Sequence, residues 1–264
     1  MSDAKPVLWH IEISHYNEKA RWALDYKRIA HRRRALPGGA HMLAALGLTH
    51  GHSTTFPLLV LDGEAIGDST AIIGALESRW PDPPLYPDDP QERRRALDLE
   101  DYFDEELGPA IRLVGWHEMT GDPERLATLV QRSLPPQLRG TPAASAVAAR
   151  YAAAFTGLRY GVRSEEAAER SRAKVISALD HLEAELDGNH YLVGERFSVA
   201  DLAAASLFYP LVLPPEGPDL GDPPEGFQRF RAPLKERPGC KWVETMYREH
   251  RQPAKATAAG TFST

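Results

Sequence analysis

The apolar positions of this chain change their spacing along its length. Val7-Leu8-Trp9-His10-Ile11-Glu12-Ile13 is a mostly apolar run of strand length. From Glu18 to Ile29 the residues are good helix formers without Gly or Pro, and Ala20, Ala23, Leu24 and Lys27 recur at helical spacing. Residues 31–36 read as a short second strand, closed by Pro37-Gly38-Gly39, and 40–46 as a short helix. Pro57 to Leu61 and Glu64 to Ile66 flank Asp62-Gly63, a strong hairpin signal. Asp68 and Ser69 are helix-capping types, and Ala71 to Trp80 continues as an apolar helix. The order strand, helix, strand, helix, hairpin, helix implies a small mixed sheet with helices on both faces.

Residues 81–91 are proline-rich, which breaks helices and favours extended backbone, so they read as a linker. Beyond them the pattern is helical. Leu97, Leu99, Tyr102, Phe103, Leu107 and Ile111 keep helical spacing, with a kink expected at Pro109. Residues 123–160 are alanine-rich, with breaks at Pro135-Pro136 and Gly140-Thr141-Pro142. Val175, Leu179, Leu182 and Leu186 give the clearest amphipathic helix. Ser198-Val199-Ala200-Asp201 opens another helix with a capping-box pattern, and Phe197 and Leu202 are placed for a hydrophobic staple. Residues 210–226 read as a surface loop, Trp242 to Arg251 as a last helix, and 252–264 as a frayed tail. The expected organisation is an α/β domain over 1–80, a linker over 81–91, and an all-α domain over 92–251 with an extended region near 115–165.

Composition narrows the function classes. A chain of 264 residues, 42% hydrophobic, has room for two domains with real cores. A net charge of −6 argues against a nucleic acid or an anionic membrane as partner. The single cysteine, Cys240, permits neither an internal disulfide nor a cysteine-based metal site, and no metal is expected. No apolar run reaches membrane-spanning length, so a cytoplasmic protein is expected.

Four segments in order carry a resemblance. They are Ser14 to Leu24 after the first strand, Phe56-Pro57, Asp68-Ser69-Thr70-Ala71-Ile72, and Tyr191-Leu192-Val193-Gly194 through Asp201. Around a proline-rich linker, this order resembles the glutathione S-transferase family, of the serine type. The resemblance implies a thioredoxin-like N-terminal domain (βαβαββα), then an all-α C-terminal bundle. It implies a homodimer, glutathione as co-substrate, a hydrophobic electrophile as partner and a role in detoxification. The activity implied is lowering of the glutathione thiol pKa and addition of the thiolate to the electrophile. Two alternatives stay open: a non-catalytic binding protein on the same fold, and a glutathione-dependent isomerase, dehalogenase or peroxidase.

The resemblance also implies roles. Ser14 is the candidate hydrogen-bond donor to sulfur, with Asn17 and Tyr16 as alternatives. A serine there, rather than cysteine, argues against mixed-disulfide chemistry. A cis Pro57 would leave the Phe56 backbone groups to pair with the cysteinyl backbone of glutathione. Asp68 and Ser69, at a helix start, would hold the γ-glutamyl end. His41 is the choice for the glycyl carboxylate. Tyr102, Trp116 and His117 are the candidate electrophile walls. Lys19 and Arg21 are expected in surface or interdomain ion pairs.

Overall fold

The computed structural model describes residues 5–36, 40–133, 137 and 140–251. The expected breaks at Pro37-Gly38-Gly39 and Pro135-Pro136 and the tail over 252–264 lie outside the described residues. The chain opens with β1 (Val7–His10), α1 (His15–Tyr26), β2 (Arg32–Ala35), α2 (Ala40–Leu48), β3 (Leu58–Leu61), β4 (Glu64–Gly67) and α3 (Ser69–Arg79). The sheet order is β2-β1-β3-β4, with β1 parallel to β2 and β3 antiparallel to both neighbours. This is the thioredoxin-like βαβαββα arrangement. Asp62 (φ 51°) and Gly63 (φ 91°) supply the two left-handed residues that a tight hairpin of the β3–β4 kind requires.

β1 stops at His10, three residues short of the expected strand end, and α1 starts at His15 instead of Glu18. The cause is the loop over 11–14, whose backbone is claimed by side chains rather than by a neighbouring strand. α1 is buried on nearly every side, including Asn17, Glu18, Lys19 and Arg21. One side faces the sheet and the other faces the helical domain, so its polar residues must find partners inside the protein.

The helical domain comprises α4 (Pro90–Tyr102), a one-turn π-helix (Phe103–Leu107), α5 (Gly108–Thr120), α6 (Pro123–Ser133), α7 (Pro142–Tyr160), α8 (Glu165–Leu186), α9 (Val199–Val212), α10 (Glu225–Arg231) and α11 (Pro238–His250). The distortion expected at Pro109 falls just before it, in the π-turn, and Pro109 itself sits in the first turn of α5 where no N–H is needed. Val175, Leu179, Leu182 and Leu186 are all buried, as their spacing predicts.

α9 is the central helix, with every residue but Pro210 buried. Its capping box forms: Asp201 accepts from Leu192 N, Ser198 N and Ser198 Oγ, each at 2.8 Å. Burial here overrides the helix-breaking residue, so α9 runs through Pro210 to Val212 and the expected loop starts later. Two further expectations are corrected. The loop expected over 210–226 gives way to the short α10 at Glu225, and α11 begins four residues before Trp242. Seven residues carry too little periodicity to stand out.

Candidate functional site

The loop over residues 11–14 is held carbonyl by carbonyl. Arg21 Nη1 donates to Ile11 O at 3.1 Å, and Arg21 Nη2 to Glu12 O at 3.0 Å. Tyr209 of α9 donates its hydroxyl to Ile13 O at 2.8 Å, and Glu18 N donates to Ser14 O at 2.9 Å. Arg21 also donates to His10 Nδ1 at 2.9 Å and pairs with Glu18 at 2.7 Å. Since arginine only donates, His10 is the neutral acceptor. Burial, with Arg21 next, lowers its pKa to about 3. Burial alone would raise the Glu18 carboxyl, but Arg21 and Arg251 outweigh it and hold Glu18 below the ordinary glutamate value. The loop is therefore fixed by groups that have no freedom of their own.

At the end of that loop Ser14 caps α1, its Oγ accepting from Asn17 N at 3.4 Å and from Asn17 Nδ2 at 2.8 Å. Ile11 N donates to Asn17 Oδ1 at 2.9 Å, which sets the orientation of the amide. The same Nδ2 donates to Phe56 O at 3.3 Å. Both amide hydrogens of the fully buried Asn17 are thus committed, whereas Ser14 is only half-buried. The Phe56–Pro57 peptide is cis. The resemblance implies a free Phe56 carbonyl, and here it is already taken. It receives Asn17, and so links the Ser14 corner to the Phe56–Pro57 turn.

The second corner is the start of α3. Asp68 sits at φ 68° and its Oδ1 accepts from Thr70 N at 2.8 Å and Ala71 N at 3.2 Å. Ser69 is buried, and among the described residues no hydrogen bond occupies its Oγ. Its backbone N–H lies in the first helical turn, where no intrahelical carbonyl is available. A pair of donors at a helix N-terminus suits an anion.

Two family models match the chain: the N-terminal domain of glutathione S-transferases over residues 8–84, and the C-terminal domain over residues 140–238. The protein belongs to the glutathione S-transferase family. No curated protein matches the chain in sequence. Among solved structures it is similar to a glutathione transferase from Phanerochaete chrysosporium (TM-score 0.62, 20% identity, covering 94% of this chain and 96% of that one). It is similar to a β-etherase from a Sphingobium strain (TM-score 0.61, 19% identity, 91% of this chain and 98% of that one). It is also similar to a glutathione S-transferase from Methylobacterium radiotolerans, solved in complex with glutathione sulfonate (TM-score 0.53, 21% identity, 90% of this chain and 93% of that one). At these identities the solved structures speak for the fold alone.

In this glutathione S-transferase scaffold the remaining predicted residues fall in different places. His41, on α2, lies nearly buried against the Phe56 ring, with centroids 5.7 Å apart. Tyr16 donates its hydroxyl to Asp104 O at 2.7 Å, in the π-turn of the helical domain, and burial raises its pKa. Trp116 lies on α5, half-buried. Two of the expected electrophile walls point elsewhere. Tyr102 packs against His181 of α8, with ring centroids 4.2 Å apart. His117 hydrogen-bonds Val162 O at 2.7 Å and Glu165 at 3.0 Å, and lines a separate cavity of about 660 Å³ between α5, the α7–α8 turn and α10. Gly108 touches Tyr16 at the α1 end of α5, and His117, nine residues on, faces about 180° away at ~100° per residue.

Lys19, expected in a surface or interdomain ion pair, ties the two domains together through Glu100 and Asp104, partners that the sequence did not name. Lys19 Nζ, fully buried, lies 2.7 Å from Glu100, 2.5 Å from Asp104 and 3.0 Å from Thr70 Oγ1. Thr70 Oγ1 in turn donates toward Glu100 and Asp104 at 2.9 and 3.0 Å. Burial alone would lower the Lys19 pKa, but the two carboxylates outweigh it and raise it. Burial raises the Glu100 carboxyl in spite of Lys19, because one cation serves two acids. Lys19 is thus the interdomain ion pair that the sequence allowed, while Arg21 is a clamp within its own domain. Thr70 follows Ser69 directly, so the same network positions the α3 start.

A His–Glu–His group, His190, Glu249 and His250, lies away from these corners with ligand atoms within 4.8 Å of one another. His190 pairs with Glu249 at 2.9 Å and His250 with the Tyr191 hydroxyl at 3.1 Å, so each ring already has a protein partner.

Proposed function

We propose that this protein is a glutathione transferase in which Ser14 lowers the thiol pKa of bound glutathione. The observation that carries the reading is the direction of the hydrogen bond at Ser14. Asn17 Nδ2 donates to Ser14 Oγ, so the hydroxyl hydrogen remains for another acceptor at the positive end of α1. A thiolate placed there gains that hydrogen bond and the helix field, and both favour the anion. Asn17 positions Ser14 rather than touching sulfur, since its amide is spent on Ser14 and Phe56. Tyr16 is spent on Asp104. Ser69 N–H and Oγ receive the γ-glutamyl carboxylate, the second carboxylate oxygen of Asp68 faces the ammonium, the Phe56 N–H meets the cysteinyl unit, and His41 takes the glycyl end. The thiolate sulfur then attacks an electrophilic carbon held near Trp116. A C–S bond forms, and the leaving group departs with its electron pair.

The reading extends to a cytoplasmic homodimer with a detoxifying role. Its support for a partner surface is apolar exposure: Leu43 on α2, and Val147, Tyr151 and Leu158 along α7, are open to solvent.

The test is Ser14→Ala. A free thiol of this type has a pKa of about 8.5, and each unit of lowering is worth about 1.4 kcal/mol. In the wild type the ultraviolet absorbance of the bound thiolate titrates at least a unit below that value. In Ser14→Ala it returns toward it, and chlorodinitrobenzene conjugation near neutrality falls roughly tenfold, recovering at high pH. An unchanged titration and rate in the variant overturns the role of Ser14. Glutathione binding without turnover across an electrophile panel would make the protein a binding protein instead.

A further inference from the structure

The face of α5 that looks toward the start of α1 carries a cation, Arg112, that no acid among the described residues matches. Gly108, Arg112 and Gly115 share that face at i, i+4 and i+7. Gly108 is pressed against Tyr16: a Cβ there would lie 2.1 Å from the Tyr16 hydroxyl oxygen. One turn on, the Arg112 guanidinium stands over the Tyr16 ring at 5.7 Å and over the Tyr160 ring at 4.6 Å. A further turn on, a Cβ at Gly115 would meet nothing within 4 Å, so the wall opens there. Tyr16 follows Ser14 by two residues, and the Asp68 charge is felt at its hydroxyl. Arg112 therefore borders the space between the Ser14 corner and the helical domain.

Both rings offer the guanidinium a cation–π contact but no hydrogen-bond acceptor in their faces, so its five N–H donors are not used by these two contacts. Among the described residues no carboxylate pairs with Arg112. Of the two acids whose charge acts on Tyr16, Asp104 uses its Oδ2 on Lys19 and Thr70 and Asp68 uses its Oδ1 on the first turn of α3, and neither pairs with Arg112. A half-buried guanidinium without a counter-charge is costly, and an incoming anion relieves that cost.

Resting on the function proposed above, we infer that the electrophile carries a carboxylate or a similar anionic group, for which Arg112 is the counter-ion and specificity-determining residue. Tyr16 and Tyr160 position the guanidinium through their ring faces and leave its N–H donors for the ligand. Aromatic or unsaturated carboxylic acids bearing a leaving group are the class this site fits.

The test uses two glutathione conjugates of one shape, S-(4-carboxy-2,6-dinitrophenyl)glutathione and its 4-carboxamide. Calorimetry with wild type and Arg112→Gln gives the dissociation constants of both, and of free glutathione. The wild type is expected to bind the carboxylate conjugate roughly 10- to 100-fold more tightly than the carboxamide, as a charge-assisted bidentate contact allows. Arg112→Gln is expected to erase that preference while leaving free glutathione within about twofold, which also reports an intact fold. Equal wild-type affinity for the two conjugates overturns the inference. So does a variant that weakens both alike, or that loses glutathione itself, since Arg112 then serves packing or the peptide. If wild type binds no glutathione at all, the function proposed above fails first, and the two failures are told apart by that single measurement.

Discussion

Replacing Lys19 with methionine removes the one cation between Glu100 and Asp104 while keeping most of the side-chain volume. Lys19 and Glu100 are fully buried, and the Asp104 side chain keeps 16% of its surface exposed. Breaking such a pair leaves uncompensated charge in the interior and costs about 3–5 kcal/mol. For a chain of this size, with about 2–4 °C per kcal/mol, that is a loss in Tm on the order of 10 °C near pH 7.5. The sign with pH follows from the same groups. Burial, with the Asp104 charge, already raises the folded-state pKa of Glu100, and losing the opposing pull of Lys19 raises it further above the unfolded value. The folded state then keeps a proton that the unfolded chain releases. Stability is therefore regained as pH falls toward 5 and lost as pH rises through the raised pKa, by up to about 1.4 kcal/mol per pH unit per proton. Thermal unfolding followed by tryptophan fluorescence reports it, because Trp22 is buried at the same interface against Tyr247 and Phe197. A deficit under ~1 kcal/mol at pH 7.5 refutes the reasoning. A deficit of equal size at pH 5.5 and 7.5 refutes it too, since it would show no coupling to the acids.

Two further outcomes follow from the packing around Tyr16. Gly108→Ala forces a methyl into the space of the Tyr16 hydroxyl, displacing its bond to Asp104 O, and is expected to cost about 1–3 kcal/mol in urea unfolding. His15 is buried against Tyr16, and burial, with Arg112 next, lowers its pKa to about 3. Its folded pKa is depressed, so the unfolded chain takes the proton first and stability is lost as pH falls below about 6.5. His15→Gln should flatten that acid limb by about 1.4 kcal/mol per pH unit relative to wild type, and equal slopes in the two proteins would count against a buried neutral His15.

Much of the fold was legible because its signals are local. The Asp62-Gly63 hairpin, the Ser198/Asp201 capping box and the apolar stripe from Val175 to Leu186 each need only neighbours within a few residues. Element ends were less legible. α1 starts early because Arg21, Tyr209 and Asn17 claim the backbone of the preceding loop, and one of those three is about two hundred residues away in sequence. Pro210 read as a stop, yet α9 runs past it because the centre of the helical domain buries that turn.

At the candidate site, residue types in sequence marked Ser14 and Asp68-Ser69 as helix caps and Pro57 as a strand start, and it was the family resemblance that gave them, with Phe56, their implied roles. What the chain could not reveal by itself is direction and partnership. That Asn17 spends both amide hydrogens, that Tyr16 turns to Asp104, that His117 faces away from Ser14 and that Lys19 serves two acids are facts of orientation across helices. A side chain's chemistry is fixed by its covalent structure. Which of its hydrogens remain available is fixed only when distant elements pack around it.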